Sequence, residues 1–167
     1  MMVEIDKRGS LAPHPDDFVS IALMPYEDAV ISLESPDQFA QRLAGMPTWA
    51  QHLVAVRCVD GEIHSGGFFG LFCSDYGVLT PEAVEGFNAI GMSETASIVA
   101  GAMSSFGSPY PRETEKRQQA AESLTANDEE AGVDFWDDYD RRYWVKAEIE
   151  AGGFDAAVAA YVREHRR

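Results

Sequence analysis

Glycine and proline cut this chain into short segments, and between the cuts apolar residues recur at three- and four-residue steps. That combination selects short helices over strands or long rods. Ser35 ahead of Pro36 places an N-cap before a proline at the first helical position, and Gly45 with Pro47 ends the helix that follows. Thr48 is positioned to cap the next helix, in which Trp49, Leu53, Val56, Asp60 and Ile63 recur until Gly66 and Gly67 stop it. Phe68, Phe69, Leu71 and Phe72 then form an aromatic-rich knot before Tyr76-Gly77. Thr80-Pro81 repeats the cap-plus-proline pattern, with Val84, Phe87 and Ile90 on one face and Gly91 closing the helix. Ser93, with Glu94 beside it, is the expected N-cap of another helix through Ile98, Ala102 and Phe106, closed by Gly107.

Beyond the stiff turn at Pro109 and Pro111, residues 112–124 read as a mostly polar helix whose buried stripe is Ala120, Ala121 and Leu124. Residues 125–133 have the composition of a loop. Trp136, Tyr139, Tyr143 and Ala147 then share a helical face, Gly152-Gly153 breaks it, and Phe154, Ala157, Val158, Tyr161, Val162 and His165 form a last amphipathic pattern. Trp144 lies off the Trp136–Tyr143 stripe. Residues 1–24, with Pro13 and Pro15 and no sustained period, are expected to form a flexible or irregular arm, and Tyr26 to Leu33 leaves helix and strand both open. The expected architecture is all-α: one compact domain over residues 25–167, made of six or seven short helices around one core.

The chain is strongly acidic, with 28 Asp and Glu against 13 Lys and Arg and a formal charge of −15. A field of this sign repels nucleic acid and anionic membrane and attracts basic proteins. From Gly9 to Pro111 there are twelve acids and two bases, and residues 121–140 add eight acids with no base. Those eight, Glu122, Asp128, Glu129, Glu130, Asp134, Asp137, Asp138 and Asp140, are the expected partner-binding face, extended by Asp16 and Asp17. The last 27 residues reverse the balance, with six bases and four acids. Acids at i and i+4 lie about 6 Å apart along a helix, whereas one DNA strand carries a phosphate every ~3.4 Å. One helix is therefore too sparse to imitate a duplex, and two acidic faces side by side approach the density.

Catalytic chemistry has a thin basis. Asp60 and His64 are i,i+4 neighbours beside a glycine turn, so a carboxylate can orient an imidazole, but no nucleophile, zinc-protease or phosphate-loop motif accompanies them. The Asp128-Glu129-Glu130 run lacks the alternation of a calcium loop. Neither a catalytic residue nor a cofactor or metal is expected. Cys58 and Cys73 sit among apolar residues, as buried thiols do, and no charged start leads an apolar stretch or a run of about 18 apolar residues. A cytoplasmic protein with no membrane segment is the expectation.

The segment EIHSGGFFGLF, Glu62 to Phe72, resembles a signature of the acidic helical bacterial family represented by the nineteen-kilodalton DNA-mimic protein. Glu62, Gly66, Gly67, Phe68 and Phe72 match it, while His64 and Ser65 replace two asparagines and Gly70 stands where glutamine is common. The likeness continues in order through Asn88 to Gly91, Pro111-Arg112, FWDDYDRRY and the closing YVREH, over roughly residues 35–167. The residues themselves speak for structure: glycines that turn the backbone and phenylalanines that plug the core. The resemblance implies a homodimer that presents DNA-like charge to a basic DNA-binding protein, a transcription factor or nucleoid protein, without touching nucleic acid itself. The alternative is an immunity or adaptor protein that binds one basic partner by ordinary shape and charge.

Overall fold

The apolar run from Ala50 to Ile63 builds the central element, and five other helices pack on it. A computed structural model describes residues 18–27, 35–131 and 134–165. In chain order its helices are α1 (Phe18–Glu27), α2 (Pro36–Ala44), α3 (Thr48–Cys73), α4 (Thr80–Ala89), α5 (Ser93–Ser104), α6 (Thr114–Ala131), α7 (Asp137–Ile149) and α8 (Phe154–His165). The fold is all-α, with eight helices and no strand among the described residues, one more than the upper expectation. Helix α3 packs on α1, α4, α6, α7 and α8, which is possible because Leu53, Val54, Val56, Val59 and Ile63 bury apolar surface on more than one side.

Three local expectations change. Residues 18–24, expected within the N-terminal arm, are helical: α1 begins at Phe18 and inserts Ala22 and Leu23 into the core, while residues 1–17 lie outside the described residues. Pro25 and the shortness of the segment hide its period, and contact with α3 and α8 supplies what the local pattern lacks. The loop expected over 125–133 is helix as far as Ala131, since Ala, Glu and Asn continue an existing helix at small cost. Gly66-Gly67 does not end α3. It breaks the helix, which resumes over the aromatic knot to Cys73.

Caps divide in the same way. Ser35 accepts from the Gln38 amide at 3.3 Å, as its position before Pro36 predicts. Thr48 and Thr80 are not caps: Pro47 and Leu79 hold those places, and the buried Thr80 hydroxyl donates to the Gly77 carbonyl at 2.8 Å. Helix α4 crosses α3 closely because Gly86 has no side chain; a Cβ there would lie 2.7 Å from the His52 carbonyl oxygen.

The core is rich in rings. Phe68 and Phe72 are fully buried and meet Tyr139, Tyr143, Phe106, Tyr110 and Trp136 at centroid separations of 4.5–6.4 Å. Burying such a side chain stabilises a fold by about 1.5–3 kcal/mol. Trp136 donates its indole N–H to the Thr125 hydroxyl at 3.1 Å, tying α6 to the entry of α7. Among the described residues one charged side chain, Arg117, is buried completely. Its guanidinium donates to the carbonyls of Phe72, Ser74, Pro111 and Arg112 and to the Thr114 hydroxyl. The cation thus sits on carbonyls left open where α3 ends, and joins that end to the proline turn and to α6.

Candidate functional site

Helix geometry redistributes the eight acids of residues 121–140. Glu122 is exposed on α6, accepting from the Gln118 side-chain amide at 2.9 Å. Asp128, Glu129 and Glu130 lie on the last turns of α6, with their side chains outside the described structure, as Asp16 and Asp17 are altogether. Asp134 accepts from the Trp136 amide at 3.0 Å and so shapes the turn before α7. Asp137 and Asp138 are exposed, but the next turn of α7 sets bases against them: Arg141 lies 3.6 Å from Asp137 and 2.6 Å from Asp138, and Arg142 lies 3.5 Å from Asp138. The run is base-free in sequence and only partly so in space.

Asp140 leaves the expected face altogether. It points inward, where its Oδ1 accepts from the Phe68 amide at 2.8 Å. That amide opens the resumed part of α3, so the carboxylate caps it from a different helix. The glycine pair makes the approach possible. Gly67 has φ +64° and ψ −169°, a conformation open essentially to glycine alone, and a Cβ on it would lie 2.5 Å from Asp140 Oδ2. Burial raises the Asp140 pKa, Asp134 and Asp137 add to the rise, and the Phe68 amide opposes it. Gly67, Phe68 and Phe72 therefore serve the fold, as does Asp140, which sequence reasoning placed on the surface.

Glu150 repeats the arrangement at the other end of α7. Its two oxygens accept from the Glu94 and Thr95 amides at 2.8 Å and from the Thr95 hydroxyl at 2.7 Å. The N-terminus of α5 is thus capped by a carboxylate 56 residues away, in place of Ser93. Although burial pushes the Glu150 carboxyl upward, these hydrogen bonds together with Lys146 hold it below its ordinary value. Lys146 also pairs with Glu94.

A second acidic area lies on the opposite edge of α7. Tyr143, fully buried, donates its hydroxyl to Asp60 Oδ1 at 2.7 Å, and His64 Nδ1 lies 3.3 Å from the same oxygen and 2.9 Å from the Asp60 carbonyl. The His64 ring meets the indole of Trp144 edge-on, with centroids 4.4 Å apart. Beside them Glu148, Phe154 and Asp155 complete a groove of 360 Å³. Sequence spacing paired Asp60 with His64 and set Trp144 apart from the buried stripe; it held no signal that α8 would bring Asp155 alongside. Among the described residues, no three His, Cys, Asp or Glu side chains converge as a metal site, and no helix is long and apolar enough to cross a membrane.

With this geometry in view, a family model described as DMP19-like protein matches residues 44–165. The chain belongs to the DMP19-like family. The matched span runs from the end of α2 to the end of α8 and so contains the broken α3, both carboxylate caps and the groove. No curated protein and no solved structure matches the chain.

Proposed function

We propose that this DMP19-like protein is a binding protein, not an enzyme, whose acidic surface occupies the DNA-contacting surface of a basic transcription factor or nucleoid protein. One observation carries the reading: folding commits a few acids to internal hydrogen bonds but leaves most of the acid excess in place. The matched region holds twenty acids and eight bases, and one of those bases, Arg117, is withdrawn completely into the core. A surface so depleted of positive charge attracts a cationic partner over a Debye length of about 8–10 Å and weakens with salt. A homodimer would set two such surfaces side by side and raise the charge density toward that of a duplex.

Catalysis has less to support it. His64 is held by its own helix and by Trp144, and Asp60 is taken up by Tyr143.

The test is competition on a partner captured from the native cell. Duplex DNA is expected to displace this protein, and the affinity should fall steeply as salt rises. A partner that stays on its DNA while holding this protein would instead establish the adaptor reading. Reversing Glu122, Asp137 and Asp138 to lysine should weaken capture at least tenfold with the helical content unchanged; undiminished capture would remove these residues from the contact surface.

A further inference from the structure

The groove on the α3 edge of α7 differs from the rest of the acidic surface because its parts are held rigidly and mixed with rings. Asp60 is fixed by the buried Tyr143 hydroxyl through Oδ1. Its side chain is 15% exposed and lines the groove. Trp144, 40% exposed, lines it with its ring against His64, and the exposed Glu148 and Asp155 line it as well. Asp137 and Asp138, outside the groove, each pair with an arginine on the following turn.

We propose that this groove seats a single arginine side chain of the basic partner, with the guanidinium against Trp144 and between the carboxylates of Asp60, Glu148 and Asp155. The proposal rests on the reading of the protein as a binder of a basic partner, and it gives that partner a specific contact. Its volume of 360 Å³ lies at the lower end of the range for ligand sites, the size for one side chain and not for a large ligand. An exposed indole face attracts a cation, and a planar guanidinium stacks on it while donating to carboxylates in pairs, which an ammonium cannot do. Charge complementarity is direct. Burial holds the Asp60 pKa above its ordinary value, the Tyr143 hydrogen bond and His64 oppose the rise, Asp155 adds to it, and Arg57 opposes it. A bound cation would relieve both the burial and the repulsion.

The experiment titrates the whole protein with N-acetyl-arginine amide and with its lysine counterpart, following the three indole N–H resonances of Trp49, Trp136 and Trp144 by NMR. Arginine amide is expected to shift the Trp144 signal saturably and to leave Trp49 and Trp136 in place, with lysine amide binding several-fold more weakly. Glu148→Gln and Asp155→Asn, both at the rim, should each weaken the arginine effect at least threefold while the spectrum otherwise stays that of the native fold. A Trp144 signal that does not saturate, equal response to lysine, or rim variants that bind as well as the native chain would overturn the proposal. Partner capture separates the two ideas. DNA-competed capture that Trp144→Ala and Asp155→Asn leave intact refutes the groove alone. Saturable arginine binding with no DNA competition on a captured partner refutes mimicry and keeps the groove.

Discussion

The inward and outward sides of α7 carry acids of opposite kinds. On the inward side Asp140 caps the resumed part of α3, and at the helix end Glu150 caps α5. On the outward side Asp137 and Asp138 reach water and are matched by Arg141 and Arg142. The same residue type, in one short segment, is either part of the frame or part of the surface. What decides is whether an open helix end faces it: amides without carbonyl partners draw a carboxylate inward, where hydrogen bonds offset its desolvation only in part at Asp140 and outweigh it, together with Lys146, at Glu150. Net charge therefore overstates the charge available to a partner, because some acids are already committed to amides.

Substitutions can break this contrast, beginning with the largest expected effect. Gly67→Ala forces a side chain into a glycine-only conformation and against Asp140, and should cost about 3 kcal/mol in a urea unfolding titration. A loss below about 1 kcal/mol would mean that the break relaxes freely and that the Asp140 contact is weak. Asp140→Ala should cost about 1–2 kcal/mol as a lost cap. Asp140→Asn keeps an acceptor and should cost far less. The sign of its pH dependence follows from the raised pKa: the native carboxyl is disfavoured when ionised, so stability from this group is present at low pH and lost as pH rises through its folded pKa.

Glu150→Gln should cost about 1 kcal/mol at neutral pH, and here the pH dependence has the opposite sign. A carboxyl held below its ordinary pKa stabilises the fold above the ordinary value, about pH 4.3, and loses that contribution as pH falls through the lowered folded value. The gap between native and variant melting temperatures should therefore narrow in acid. A gap that is constant from pH 7 to pH 3 would show that Glu150 acts by shape and not by charge. Smallest of all, Asp137→Lys and Asp138→Lys should each change stability by no more than about 0.5 kcal/mol, since exposed pairs contribute little. A much larger loss would place these residues with the frame and dissolve the contrast.

The helical class was legible because its signals are local. Ser35-Pro36, Gly91, Gly107 and Gly152-Gly153 mark boundaries within a few residues of where they occur. The Trp136, Tyr139, Tyr143 and Ala147 stripe was legible for the same reason, and those residues pack inward in that order. The Gly66-Gly67 pair was readable as a turn but not as a break with helix on both sides, since the continuation depends on Asp140 capping Phe68. Arg117 looked like an ordinary surface residue of a polar helix; only the convergence of carbonyls from the end of α3 and the proline turn makes its burial possible. The candidate acidic face suffered in the same way. A run without bases in sequence gains them from one turn ahead, and the groove with Asp60, Glu148 and Asp155 joins residues nearly a hundred positions apart.

By itself the sequence determined an all-α chain with an acid excess and a glycine-phenylalanine segment near its centre, because periodicity, caps and composition act over a few residues. Tertiary structure decided which acids remain for a partner. An open amide or an arginine one turn away either captures a carboxylate or leaves it exposed, and those neighbours are set by how helices distant in sequence pack.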